Sequence, residues 1–118
     1  MEIHRRSARI CRGGIPGQPD ELIGLYHAAV QQQIGNDLAA LGRFAEAETP
    51  LRQALAHFES VQMPAWSEPV RLDLGHVLET IGHPQARATL LAARGGLTTL
   101  KHPRVHEAAA ALDRLAPV

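Results

Sequence analysis

The chain has 118 residues and sets 12 Lys+Arg against 12 Asp+Glu. That length fits one domain with its own core, and the neutrality excludes a globally basic nucleic-acid binder and an acidic solvating chain. With 45% hydrophobic and 20% charged residues, the composition is that of a folded protein. Ala (19) and Leu (15) dominate, against 12 Ile+Val and 3% aromatics, a mix that suits close-packed helices and opposes an all-β fold. A single cysteine, Cys11, permits no intramolecular disulfide, and no apolar run reaches membrane-spanning length. A cytoplasmic protein is expected.

Residues 1–19 stand apart, with Arg5, Arg6, Arg9 and Arg12 against one glutamate, followed by a Gly/Pro cluster from Gly13 to Pro19. Glycine and proline at that density forbid a continuous helix, so a flexible basic arm is expected. This arm carries a net +3 and the remaining 99 residues a net −3.

From Asp20 the pattern is helical. Asp20 is placed as N-cap of a first helix whose apolar residues (Leu22, Leu25, Tyr26, Ala29, Val30, Ile34, Leu38, Leu41) recur at steps of three and four, up to a stop at Gly42. A second helix carries Phe44, Ala47, Leu51, Ala54, Leu55 and Phe58 on one stripe. Pro50 inside it should kink that helix or delay its start. Ser67 is expected to cap a third helix that ends at Gly82. Pro84 opens a fourth, weakened near Gly95-Gly96, and His102-Pro103 starts an Ala-rich fifth that ends near Leu115.

Aligned on itself, the chain repeats. Ile34-Gly35 matches Leu74-Gly75, Leu38 matches Leu78, and Leu41-Gly42 matches Ile81-Gly82, all 40 residues apart. At an offset of 39, Ala47 meets Ala86, Leu51 meets Leu90, Ala54 meets Ala93, and Met63-Pro64 meets His102-Pro103. Periodic helices alone supply apolar matches, but not aligned glycines and prolines as well. On Ile34-Gly35, Leu38, Gly42, Phe44, Ala47, Leu51 and Ala54, and on their second-unit counterparts, the chain resembles the tetratricopeptide repeat (TPR) family. The long period and Pro-ended loops are similar to the C-terminal TPR arrays of large bacterial, actinobacterial-type regulators.

The resemblance implies an all-α fold of about five helices, in which antiparallel hairpins stack as a short TPR-like α-solenoid. Its domain of residues 20–118 divides into units at about 28–66 and 67–103 and a capping helix at 104–116. It also implies a non-catalytic protein–protein interaction module, regulatory or scaffolding, without cofactor or metal. In TPR proteins the first helix of each pair lines the concave face, which here assigns partner binding to Gln32, Asn36, Asp73, His76 and Glu79. Those positions hold no lysine or arginine, so the resemblance implies a neutral or basic segment as partner, rather than an acidic C-terminus. The N-terminal end has no cap beyond the start of the first helix, and Leu22, Leu25 and Tyr26 are assigned to self-association, giving a homodimer or a partner-bound form.

Other classes fit less well. A helix-turn-helix DNA reader would carry Glu46 and Glu48 where phosphates approach, and those acids repel DNA. The alternative reading is therefore a small DNA-associated regulator acting through the basic arm. The seven histidines form no HExxH or Cys/His cluster, and His102, beside Pro103, is better placed as a helix cap than as a metal ligand. There is no GxSxG, and no positioned base accompanies Cys11, so no catalytic residue is assigned.

Overall fold

A computed structural model describes the backbone of residues 18–115 and the side chains of 22–115. Those residues form five helices: α1 (Gln18–Ala40), α2 (Phe44–Ser60), α3 (Pro64–Thr80), α4 (Ala86–Thr99) and α5 (Val105–Leu115). No strand occurs among the described residues. The basic arm lies outside them up to residue 17, while Gln18 and Pro19 already belong to α1. Asp20 therefore sits within the first turn of α1 rather than capping it.

Each helix packs on the next, and α3 also touches α1 and α5, so α1, α3 and α5 form one layer and α2 and α4 the other. The fold is all-α, with antiparallel hairpins stacked in series. Each hairpin packs against its neighbour in the series, so the stack grows in one direction.

The hairpins recur at atomic detail. A Cβ built on Gly35 would lie 2.5 Å from Leu51 Cγ, and one on Gly75 would lie 2.5 Å from Leu90 Cδ2. In each unit the glycine lets a leucine of the following helix lie directly on the backbone of the first. All four interhelical turns close with the same pair of bonds. In the first, Arg43 N–H donates to Leu38 O (2.8 Å) and Gly42 N–H to Ala39 O (2.9 Å); in the third, His83 donates to Leu78 (2.8 Å) and Gly82 to Glu79 (3.1 Å). The second and fourth turns repeat this with Met63 to Phe58 and His102 to Leu97 (3.0 and 2.9 Å). There the left-handed position is held by Gln62 and Lys101, both at φ 55°, in place of glycine.

Several helix boundaries differ from the sequence expectation. Helix α2 begins at Phe44 and runs unbroken through Pro50, which is buried. The ~3 kcal/mol cost of an interior proline is outweighed by burying Leu51, Leu55 and Phe58, at about 1.5–3 kcal/mol each. Helix α3 begins at Pro64, and Ser67 is buried inside it rather than capping it. A proline at the first helical position needs no N–H partner, so the helix starts there. Helices α4 and α5 start at Ala86 and Val105, after the His-Pro steps. Helix α4 runs through Gly95-Gly96, and the missing Cβ of Gly96 leaves room for the Glu68 side chain of α3.

Two buried clusters follow from this stacking. One joins α1, α2 and α3 around Phe58, Leu51, Val70, Leu74 and Leu78. The other joins α3, α4 and α5 around Leu72, Leu90, Leu97, Ala108 and Leu112. Leu115 packs against both.

Candidate functional site

The second unit's share of the expected recognition face is a seam between α3 and α5. Arg104, just ahead of α5, donates to Asp73 Oδ1 at 2.8 Å and to both oxygens of Glu107 at 3.0 and 2.9 Å. Arg114, near the end of α5, grips Glu79 with both arms of its guanidinium, at 2.7 and 2.8 Å. His76 lies between, its Nε2 3.4 Å from Glu107 and its Nδ1 3.9 Å from Glu79. Bonding to Arg114 holds the Glu79 carboxyl below the ordinary value of 4.5 against the opposing effect of burial. Bonding to Arg104 does the same for Glu107, with His76 adding a smaller pull. The Arg104 guanidinium is correspondingly raised, by Glu107 first and, against burial, by Asp73.

Asp73, His76 and Glu79 thus face the last helix, and the two carboxylates are ion-paired within the chain. The three side chains assigned to recognition are therefore also contacts of α3 with α5, and each stays partly exposed. Sequence reading missed the pairing because Arg104 and Arg114 lie about 30–35 residues away on a helix read only as an Ala-rich cap. The available signal was Arg104 and Glu107, three apart, facing an acid-rich helix.

Gln32 and Asn36 lie half-buried on α1. In the repeat register Asn36 corresponds to His76, whereas Gln32 corresponds to Leu72, which is fully buried. Of the five assigned residues, two lie on α1, and three lie on α3, facing α5.

The α1 residues assigned to self-association separate as well. Leu22 and Tyr26 are 63% and 74% exposed, but Leu25 points the other way and packs against the first cluster. The exposed face is longer than the sequence reading assigned. Ile23, Ile34 and Leu41 continue it, at 64%, 42% and 70% exposure, with Val30 half-buried between them. The repeat register explains why this face is apolar. Tyr26, Val30, Ile34 and Leu41 correspond to Trp66, Val70, Leu74 and Ile81 of α3. On α3 that face is covered in part: Val70 and Leu74 are buried and the Trp66 ring lies 5.5 Å from Phe58, while Trp66 and Ile81 stay 49% and 38% exposed. On α1 no described helix covers it.

A further concavity of about 320 Å³ opens between α2 and α4, floored by Leu55 and Leu74 and walled by Arg52, Glu59, Arg71, Gln85, Thr89 and two alanines. Its charges are paired. Arg52 bonds Glu48 (2.7 Å) and Gln85 (3.1 Å), and Arg71 bonds Glu59 (2.5 Å) and Glu68 (3.0 Å). This groove was not legible in the sequence, because stacking two units brings its walls together.

Two histidines shape turns. His83 and His102 each precede a proline, and each Nδ1 accepts the backbone N–H two residues on, at 3.0 Å, in the manner of an Asx turn. His57 lies over Gly24 of α1, where a Cβ would come within 2.8 Å of the ring, and its Nε2 is buried without a hydrogen-bond partner among the described residues. No group of three potential metal-binding side chains occurs among those residues, and none of their helices is long and apolar enough to cross a membrane. The chain matches no family model, and neither curated proteins nor solved structures give a significant match.

Proposed function

We propose that the chain is a TPR-like, non-catalytic protein–protein interaction module. The observation that supports this is the exact duplication of one packing device: Gly35 under Leu51, Gly75 under Leu90, and the same bond pair at every turn. A scaffold of this kind offers an extended surface built from successive units, and its chemistry is recognition. The likeness to arrays in large bacterial regulators suggests a regulatory setting. The single cysteine agrees with a cytoplasmic one.

Because Asp73 and Glu79 are neutralised by Arg104 and Arg114, the partner segment that best suits this surface is neutral, with Asn36 and Gln32 as its polar contacts. The test is to capture proteins from the native host on the full chain and then titrate the purified binder. Asn36→Ala with Gln32→Ala should weaken that titration about tenfold or more, as expected for two interfacial polar contacts, while Thr99→Ala leaves it unchanged. Salt-sensitive binding to duplex DNA that vanishes on removing residues 1–17, with no protein titration affected by the α1 changes, would overturn the reading.

A further inference from the structure

We infer that the outer face of α1 is a self-association surface on which a second copy of the chain docks, α1 antiparallel to α1. The inference stands on the geometry of α1 and does not depend on the module's other partner. Leu22, Ile23, Tyr26, Val30 and Ile34 form an apolar stripe opposite the face that packs on α2, and Leu41, in the turn after α1, extends it past Asp37 to about 28 Å. The middle of the same register on α3, Val70 and Leu74, is buried, whereas its counterparts on α1, Val30 and Ile34, are half-buried and exposed. Its exposed side chains present roughly 600 Å² per copy, and a two-fold pair would bury about 1,200 Å², the lower bound of specific interfaces.

The stripe is complementary to itself. Turned end for end about residue 32, it sets Ile23 against Leu41 of the second copy, Val30 against Ile34, and His27 against Asp37. His27 and Asp37 are both exposed, and the Gln33 amide donates to Asp37 Oδ1 at 2.9 Å, which holds that carboxylate on this side of the helix. A two-fold axis makes each pairing occur twice. Antiparallel alignment also opposes the two helix dipoles favourably. A parallel pair would instead place Asp37 against Asp37 and His27 against His27.

The test uses the full chain. Sedimentation equilibrium should show a dimer, and Tyr26→Glu with Leu41→Glu should raise its dissociation constant ~100-fold or more while far-UV circular dichroism stays helical. His27→Glu, which sets two acids face to face, should weaken the dimer, and adding Asp37→Lys should restore it. With Cys11→Ser as background, Ile23→Cys and Leu41→Cys in one chain should give an intermolecular disulfide, while Ile23→Cys alone gives none, because the two copies of residue 23 are then about 27 Å apart. A monomer at all attainable concentrations overturns the proposal, whether residues 1–17 or another protein's helix covers the face. So does a dimer indifferent to the α1 changes, or one that Ile23→Cys alone cross-links.

Discussion

Gly35 and Gly75 decide how close the two helices of each hairpin come. An alanine at either site would force its Cβ into a leucine 2.5 Å away, and the leucine is itself fully buried. Overpacking of this kind costs about 1–3 kcal/mol, so urea titration of Gly35→Ala and of Gly75→Ala should each show a loss of that size. The opposite change is available at Gln62 and Lys101, whose left-handed backbone carries a Cβ penalty that Gly42 and Gly82 avoid. Gln62→Gly or Lys101→Gly should therefore stabilise by on the order of 0.5–1 kcal/mol, since the relief of strain exceeds the added entropy of the unfolded chain. Thermal melts of the two single variants measure this, and a fall in melting temperature in both would count against it. His102 acts at the same scale: His102→Ala should cost about 0.5–1 kcal/mol, whereas His102→Asn, which can also accept the Arg104 N–H, should recover most of it.

At the scale of the element, α5 is held by an apolar contact and an ionic seam. Its Ala108, Ala111 and Leu112 bury against Leu72 and α4, while Arg104 and Arg114 bind the α3 carboxylates. Glu79 and Glu107 have folded pKa values depressed below 4.5. Their contribution is complete above the unfolded value of 4.5 and is lost as pH falls through the lower folded values. Docking of α5 should accordingly weaken in acid, below about pH 4.5, and hold steady from there to neutrality. Amide hydrogen exchange at pH 3.5 and pH 6 checks this: α5 should lose more protection than α2. Arg104→Met should remove about 1 kcal/mol of stability at neutral pH, between the worth of an exposed pair and that of a buried one, and should flatten the acid dependence.

The whole molecule is a line of two hairpins and a final helix, so its cooperativity runs through neighbouring contacts. Leu72 belongs to the second cluster alone, and Leu72→Ala should cost about 2–4 kcal/mol in the exchange of α4 and α5 while α1 and α2 lose less protection. A uniform loss across all five helices would show instead that the two clusters unfold as one. The two ends of the line differ in kind. At the C-terminal end α5 covers the α3 face with matched charge, while α1 presents an apolar face whose α3 counterpart is buried at Val70 and Leu74.

Spacing alone decided that the chain is helical, and the coincidence of Gly35 with Gly75, Gly42 with Gly82 and Leu51 with Leu90 decided that it repeats. Those features were legible because close helix approach admits few residue types at each contact. Helix starts were less legible: Pro50 and Ser67 carry local preferences that burial of a whole face overrides. The site was least legible of all, since a polar residue on a helix reads the same whether it meets solvent or a distant arginine. Only the tertiary structure pairs Asp73 and Glu79 with α5, separates Leu25 from Leu22 and Tyr26, and leaves the α1 face outward. The physical reason is that periodicity determines which residues share a face, whereas the order in which helices stack determines what that face meets.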